Sequence, residues 1–238
     1  MDIFNIVLYK PLFNSLILIY NYIPGNDFGV AVIILTIIIK TILIPLSVKS
    51  VRSQKSLQDL QPKLKEIQDK YKDDKEKQAN EILKIYKTQK INPFSGIFLA
   101  FLQIPILFAL YMVFNNGLKS SELINLYSFV SNPVSINFLF LNIIDLSKPN
   151  ILFALIAGVV QYLQTKMLLP KLKTQKNTPE GSGDIAKAIQ FQTTYFLPIF
   201  TVIILFNLPS ALGLYWTVSG LFSTAQQHFI LKKINKFN

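Results

Sequence analysis

A single ammonium stands in the middle of an apolar run. From Phe28 to Leu46 the chain reads FGVAVIILTIIIKTILIPL, and Lys40 is the only basic or acidic side chain lying inside, and not at the end of, a long apolar segment. Near the middle of a membrane-spanning helix a lysine costs about 2.5 to 3.5 kcal/mol, so this one must be met by water or polar groups. The neutral polar groups within the other apolar segments include Gln103, Gln161, Gln164, Thr165, Thr193, Thr194, Asn207, Ser219, Ser223, Thr224 and Gln226. Together with Lys40 they suggest a water-filled recess in which one poorly screened cation attracts acidic segments. Snorkelling of Lys40 to nearby headgroups accounts for the same residue without any recess.

Other chemistry is hard to assemble. Cysteine is absent, which excludes disulfides, thiolate catalysis and thiolate metal sites. His228 is the sole histidine and suits an interface anchor better than a metal ligand, so neither a metal nor a cofactor is expected. All thirteen carboxylates lie in connections or at segment ends, leaving none for proton abstraction, ion coupling or intramembrane proteolysis. The chain does not read as an enzyme.

The elements that must position these groups are helices. Of the 238 residues 51% are hydrophobic, and they are gathered into blocks near the roughly 20 residues that a bilayer core demands. The expected class is all-α, a polytopic membrane protein with a five-helix transmembrane core. Its spans are expected at 28–48, 93–116, 150–168, 190–208 and 210–230, the last two forming a tight hairpin about Pro209. Pro105 and Pro198 are tolerated where neighbours satisfy the freed backbone. Residues 1–27 read as an outer amphipathic interfacial helix, with Leu12, Phe13, Leu16, Ile17, Ile19 and Tyr20 on one face and Asn14 and Asn21 on another; a sixth span is the alternative. No basic region and cleavage site of a removable signal peptide is recognised there.

The net charge of +11 is sorted by position. Twelve Lys and Arg fall in 49–92, five in 166–188 and three in the tail 231–238, against Lys10, Lys119 and Lys148 on the opposite side. This asymmetry points to membrane orientation and not to DNA binding, with the N-terminus outside and the C-terminus cytosolic.

Residues 49–92 predict a charged helical hairpin. Leu57, Leu60, Leu64, Ile67 and Tyr71 form one stripe, and Ala79, Ile82, Leu83 and Tyr86 form a second after the turn at 72–75. Pro62 predicts a break near residue 61 and a restart. A solvated linker of two loosely packed helices fits the same residues. The outer loop 117–149 is expected to form short interfacial helices around Asn132-Pro133, and the cytosolic loop 169–189 contains a flexible turn at 177–183.

Five segments, in order, resemble one family. They are Lys40-Thr-Ile-Leu-Ile-Pro-Leu46, Leu57-Gln-Asp-Leu-Gln-Pro-Lys-Leu-Lys-Glu-Ile-Gln-Asp-Lys-Tyr-Lys72, Ile91-Asn-Pro-Phe-Ser-Gly96 with Gln103-Ile-Pro-Ile106, Tyr162-Leu-Gln-Thr-Lys-Met167, and Leu208-Pro-Ser-Ala-Leu-Gly-Leu-Tyr-Trp216. Their combination is similar to the YidC/Oxa/Alb membrane protein insertases over nearly the whole chain, in the bacterial form that lacks a large periplasmic domain. The resemblance implies an inner-leaflet groove, closed toward the outside, that accepts hydrophilic parts of nascent membrane proteins and releases apolar segments into lipid. Lys40 falls where that family carries a basic residue, most often arginine; the charge is kept and the planar fork is lost.

On this basis the expected groove comprises Lys40, Gln103, Gln161, Gln164, Thr193, Trp216, Ser219 and Gln226. A substrate slide is expected along Phe98, Phe101, Ile104, Phe108, Met112, Phe196, Phe200 and Ile204, although lipid-facing residues would have the same composition. Expected partners are nascent membrane proteins, the ribosome and the bilayer, with cooperation with a Sec translocon left open, in a bacterial plasma membrane. A small-solute channel and a structural assembly factor are the rival readings. A channel should conduct without nascent chains, and an assembly factor should be indifferent to Lys40.

Overall fold

The computed structural model describes residues 3–23, 25–89, 91–92, 95–117, 122–133, 135–168 and 191–236. The expected loop at 169–189 lies outside them. A π-helical turn, Asn5–Tyr9, leads into α1 (Lys10–Tyr22), followed by α2 (Phe28–Ile42), α3 (Ile44–Lys70), α4 (Lys75–Thr88) and α5 (Ser95–Met112). After a long connection come α6 (Ile151–Leu168), a π-helical turn at Gln192–Phe196, α7 (Leu197–Leu205) and α8 (Ser210–Lys236). The all-α expectation holds, save for a small hairpin of β1 (Leu139–Phe140) and β2 (Ile144–Asp145).

The first expected span is broken. Pro45 has no N–H to offer the preceding turn, so α2 ends at Ile42 and α3 restarts at Ile44 with Pro45 in its first turn, bent by 64°. Among the described residues no single helix is long and apolar enough to cross a membrane unaided, while the bent α2–α3 pair meets that requirement jointly.

Two further expectations are corrected. Pro62 does not interrupt the charged arm: α3 runs unbroken through it, because Pro62 lies on the exposed face and removes one backbone donor from a 27-residue helix. Leu60 and Leu64 are buried as anticipated, and Ile82 and Tyr86 are half-buried as expected, but Leu83 is 52% exposed and Ala79 is also exposed; Gln78 and Ile85 turn inward in their place. Gln78 Nε2 donates to the Gln68 carbonyl at 2.9 Å, fastening the hairpin across the turn. Asp74 caps α4 by accepting from Lys77 N–H at 3.0 Å, and that bond holds its carboxyl below the usual carboxylate range.

The last two helices join through a short turn yet do not pair along their lengths. Both pack on α6, and α8 packs on α2 as well. Glycines permit this: a Cβ on Gly220 of α8 would sit 2.6 Å from Val160 Cγ1, a Cβ on Gly213 would sit 2.9 Å from Phe153 Cβ, and one on Gly158 of α6 would collide with Val202 of α7. Close backbone approach through small residues replaces the tight hairpin expected around Pro209.

At the N-terminal ends of α2 and α8 the bundle is filled. Tyr20, Phe28, Phe114 and Phe138 form a chain of ring contacts with centroids 5.3 to 6.4 Å apart, beside buried Leu110, Leu146 and Leu212. Asn14 is buried, contrary to its expected place on a polar face. It accepts from Tyr127 N–H at 2.6 Å and donates to the Asn125 carbonyl, while Asn21 donates to the Ser131 carbonyl at 2.7 Å. The two asparagines therefore tie α1 to the connection after α5. Asp27 unites α2 with the β-hairpin, accepting from Val30 N–H at 2.9 Å and Leu141 N–H at 2.6 Å. The second bond anchors a turn whose Leu141 and Asn142 both have positive φ, at 51° and 57°.

Large apolar side chains also cover the outside, among them Phe101 and Phe108 on α5, Leu155 and Val159 on α6, and Ile199 and Ile203 on α7. Apolar side chains exposed on the outside, around an interior that holds buried polar groups such as Thr36, Ser219 and Gln227 beside its apolar core, are the distribution expected of a bundle solvated by lipid.

Candidate functional site

At the opposite end of the bundle the packing opens into a recess of about 330 Å³. Its walls come from five helices: Lys40 from the last turn of α2; Ser47, Val51 and Gln54 from α3; Gln103 from α5; Gln161 and Gln164 from α6; and Tyr215, Trp216, Ser219, Ser223, Gln226 and Gln227 from α8. Lys40, Leu43, Ser47, Val51 and Gln54 follow one another at intervals of three and four residues, so the face that lines the recess continues across the bend at Leu43. On α8 the spacing Tyr215, Ser219, Ser223 lays hydroxyls along one face.

Lys40 is placed two residues before the end of α2, not deep within a continuing helix. The helix dipole there favours a cation. Among the described residues no carboxylate lines the recess, and Lys40 belongs to none of the ion pairs, which join Lys55 to Asp59, Lys77 to Asp74, Lys84 to Glu81 and Lys148 to Asp145. The charge is therefore uncompensated and directed to an open polar space.

The polar walls are partly bonded to one another. Trp216 Nε1 donates to Gln161 Oε1 at 3.2 Å, Gln103 Nε2 donates to the Tyr215 hydroxyl, and Ser47 Oγ donates to Gln226 Oε1 at 2.8 Å. Gln226 Nε2 and Gln227 Oε1 are buried without a partner among the described groups.

Of the residues expected in a groove, Lys40, Gln103, Gln161, Gln164, Trp216, Ser219 and Gln226 are brought together here, whereas Thr193 is not part of the lining and sits in the π-helical turn before α7. Ser47, Gln54, Tyr215, Ser223 and Gln227 complete the walls. The α8 stripe is visible in the sequence as a four-residue repeat, and Ser47, Val51 and Gln54 continue the Lys40 face at spacings of three and four. Along the expected slide, Phe101, Ile104, Phe108, Phe196, Phe200 and Ile204 are 42 to 66% exposed, and Phe196 stacks on Phe200 at 5.8 Å. Met112 instead packs partly against the core, and the Phe98 side chain lies outside the described residues.

Residues 18–236 match the 60Kd inner membrane protein family. The chain is 33% identical over 208 residues to a membrane protein insertase YidC of Fusobacterium nucleatum subsp. nucleatum, covering 87% of this chain and 88% of that one. It is 34% identical over 225 residues to a membrane protein insertase YidC of Syntrophus aciditrophicus and 32% identical over 224 residues to one of Nitratidesulfovibrio vulgaris, in each case covering 94% of this chain. Those two relatives are longer, and the aligned part makes up 36% and 38% of their lengths. With a match across nearly its whole length, the chain belongs to the 60Kd inner membrane protein family, the family of the YidC membrane protein insertases.

Proposed function

We propose that this protein is a membrane protein insertase that works without nucleotide hydrolysis, taking hydrophilic segments of nascent membrane proteins into the recess while their apolar segments pass into lipid. The observation that carries the reading is Lys40: among the described residues it is the one cation, uncompensated by any carboxylate, in a polar recess that gives way to packed aromatic rings at its far end. A recess wetted from one side shortens the apolar thickness that a polar tail must cross, and burial of the substrate's apolar helix supplies the driving force. The exposed phenylalanines of α5 and α7 offer that helix a path.

In this reading the α2–α3 pair, α5, α6, the π-turn with α7, and α8 make the five crossings of a bacterial plasma membrane. The recess opens to the cytosol, on the side of the twenty basic residues in 49–92, 166–188 and 231–238. The α3–α4 hairpin and the basic tail meet the ribosome or the emerging chain, and a chaperone role in folding follows from the same contacts.

The test is insertion by purified protein in liposomes, using ribosome-bound chains with acidic, neutral or basic tails and photocrosslinkers at Phe101 and Ser219. Insertion with crosslinks from both positions is expected. Solute flux without a nascent chain, with no crosslinks, would instead identify a channel.

A further inference from the structure

Among the described residues six glutamines, Gln54, Gln103, Gln161, Gln164, Gln226 and Gln227, line the recess, and no acidic residue does. A carboxamide offers the same groups as a peptide unit: an N–H donor beside a C=O acceptor. Several of these amides are half used. Trp216 can only donate, which fixes Gln161 with its carbonyl toward the indole and leaves its NH₂ over. Gln103 directs its NH₂ to Tyr215, and Gln226 turns its carbonyl to Ser47, leaving a buried Nε2 unpaired. Gln227 is 6% exposed, and its Oε1 has no partner among the described groups. Buried polar groups left unpaired are costly, so donors and acceptors fixed at the wall of a hollow mark a place for a hydrogen-bonding occupant.

An acidic ligand alone would require cations, of which the recess has one. A sugar or nucleotide would leave the alternation of donors and acceptors without a matching ladder. An extended polypeptide presents that alternation along its length. We propose that the recess holds an unfolded chain through hydrogen bonds from its glutamine carboxamides to the passing backbone, so that retention is independent of side-chain sequence and Lys40 adds a bias toward acidic tails. This deepens the insertase reading and rests on it.

The chain has one tryptophan, Trp216, and it lines the recess, so its emission reports occupancy directly. The full protein in lipid nanodiscs is titrated with three synthetic Gly/Ser-rich peptides, one neutral, one acidic and one basic. A fourth peptide is the neutral sequence with several consecutive amides replaced by esters, which removes N–H donors and weakens the carbonyls. The expected result is saturable binding of all three amide peptides and weakening of about fivefold for each hydrogen bond lost in the ester peptide. Gln226→Met and Gln227→Met should each weaken all three amide peptides by about fivefold, while Lys40→Met weakens the acidic one alone. Equal binding of ester and amide peptides to the wild-type protein overturns backbone recognition and leaves the insertase reading standing. Glutamine variants that discriminate among the peptides by charge overturn it equally. Failure of every peptide to perturb Trp216 overturns both readings. The ester comparison involves no change to the protein, so it decides the matter even if a glutamine variant folds poorly.

Discussion

Ser47 and Gln226 are joined by a 2.8 Å hydrogen bond across 179 positions of sequence. The serine stands one turn beyond the bend at Leu43, so this bond pins the base of the charged arm to α8 at the wall of the recess. Ser47→Ala should cost about 1 kcal/mol locally. Hydrogen exchange in residues 45–54 should quicken while exchange in α6 stays unchanged; unaltered exchange in both would show that packing alone holds the arm.

Lys40 is expected to act through charge. Lys40→Ala should slow insertion of substrates with acidic tails by about threefold to tenfold, equivalent to about 0.7 to 1.4 kcal/mol. Neutral tails should be little affected, Lys40→Arg should be tolerated, and Lys40→Glu should reverse the preference. Normal insertion of acidic tails by the glutamate variant would remove the charge from the mechanism.

Much of the site is legible in the residues because burial cost is visible in sequence: a lysine inside an apolar run needs a polar surrounding, and the glutamines and serines able to supply it are few. Its geometry is less so. The break at Leu43 depends on whether Pro45 bends the helix or is absorbed as Pro105 is in α5, and local sequence does not decide between those outcomes. Pro62 misleads in the other direction, since an exposed proline in a long helix is carried by its neighbours. Polarity alone points Thr193 to the groove, although only the packing of α7 against α6 determines that it misses the recess. Asn14 reads as solvent-facing because its partners in the connection after α5 are more than 100 residues away.

Gly220 should prove sensitive for a packing reason. Gly220→Ala places a methyl 2.6 Å from Val160 Cγ1, which forces α6 and α8 apart at the wall of the recess and should cost about 1 to 3 kcal/mol. Val160→Ala should recover part of that loss. A double-mutant cycle on thermal unfolding in detergent measures the coupling, and strict additivity would contradict the contact.

The α3–α4 hairpin should loosen in acid. Asp74 has its carboxyl lowered chiefly by the backbone N–H of Lys77 and then by the Lys77 side chain, so its contribution is present above the ordinary carboxylate range near 4 and is lost as pH falls through the lower folded value. A spin label at Leu83, an exposed position on α4, should gain mobility below about pH 4. In Asp74→Ala the label should already be mobile at neutral pH and respond far less to acid.

One-sided wetting of the recess underlies every functional step above, and the absence of native cysteine makes it directly measurable. Single replacements Ser219→Cys, Ser223→Cys and Thr36→Cys can be treated with a membrane-impermeant maleimide applied to one face of the membrane at a time. The account predicts that Ser219→Cys and Ser223→Cys react from the face carrying the α3–α4 hairpin, are shielded by a stalled nascent chain, and do not react from the other face, while Thr36→Cys reacts from neither. Labelling of the two recess positions from both faces, or from neither, would contradict it.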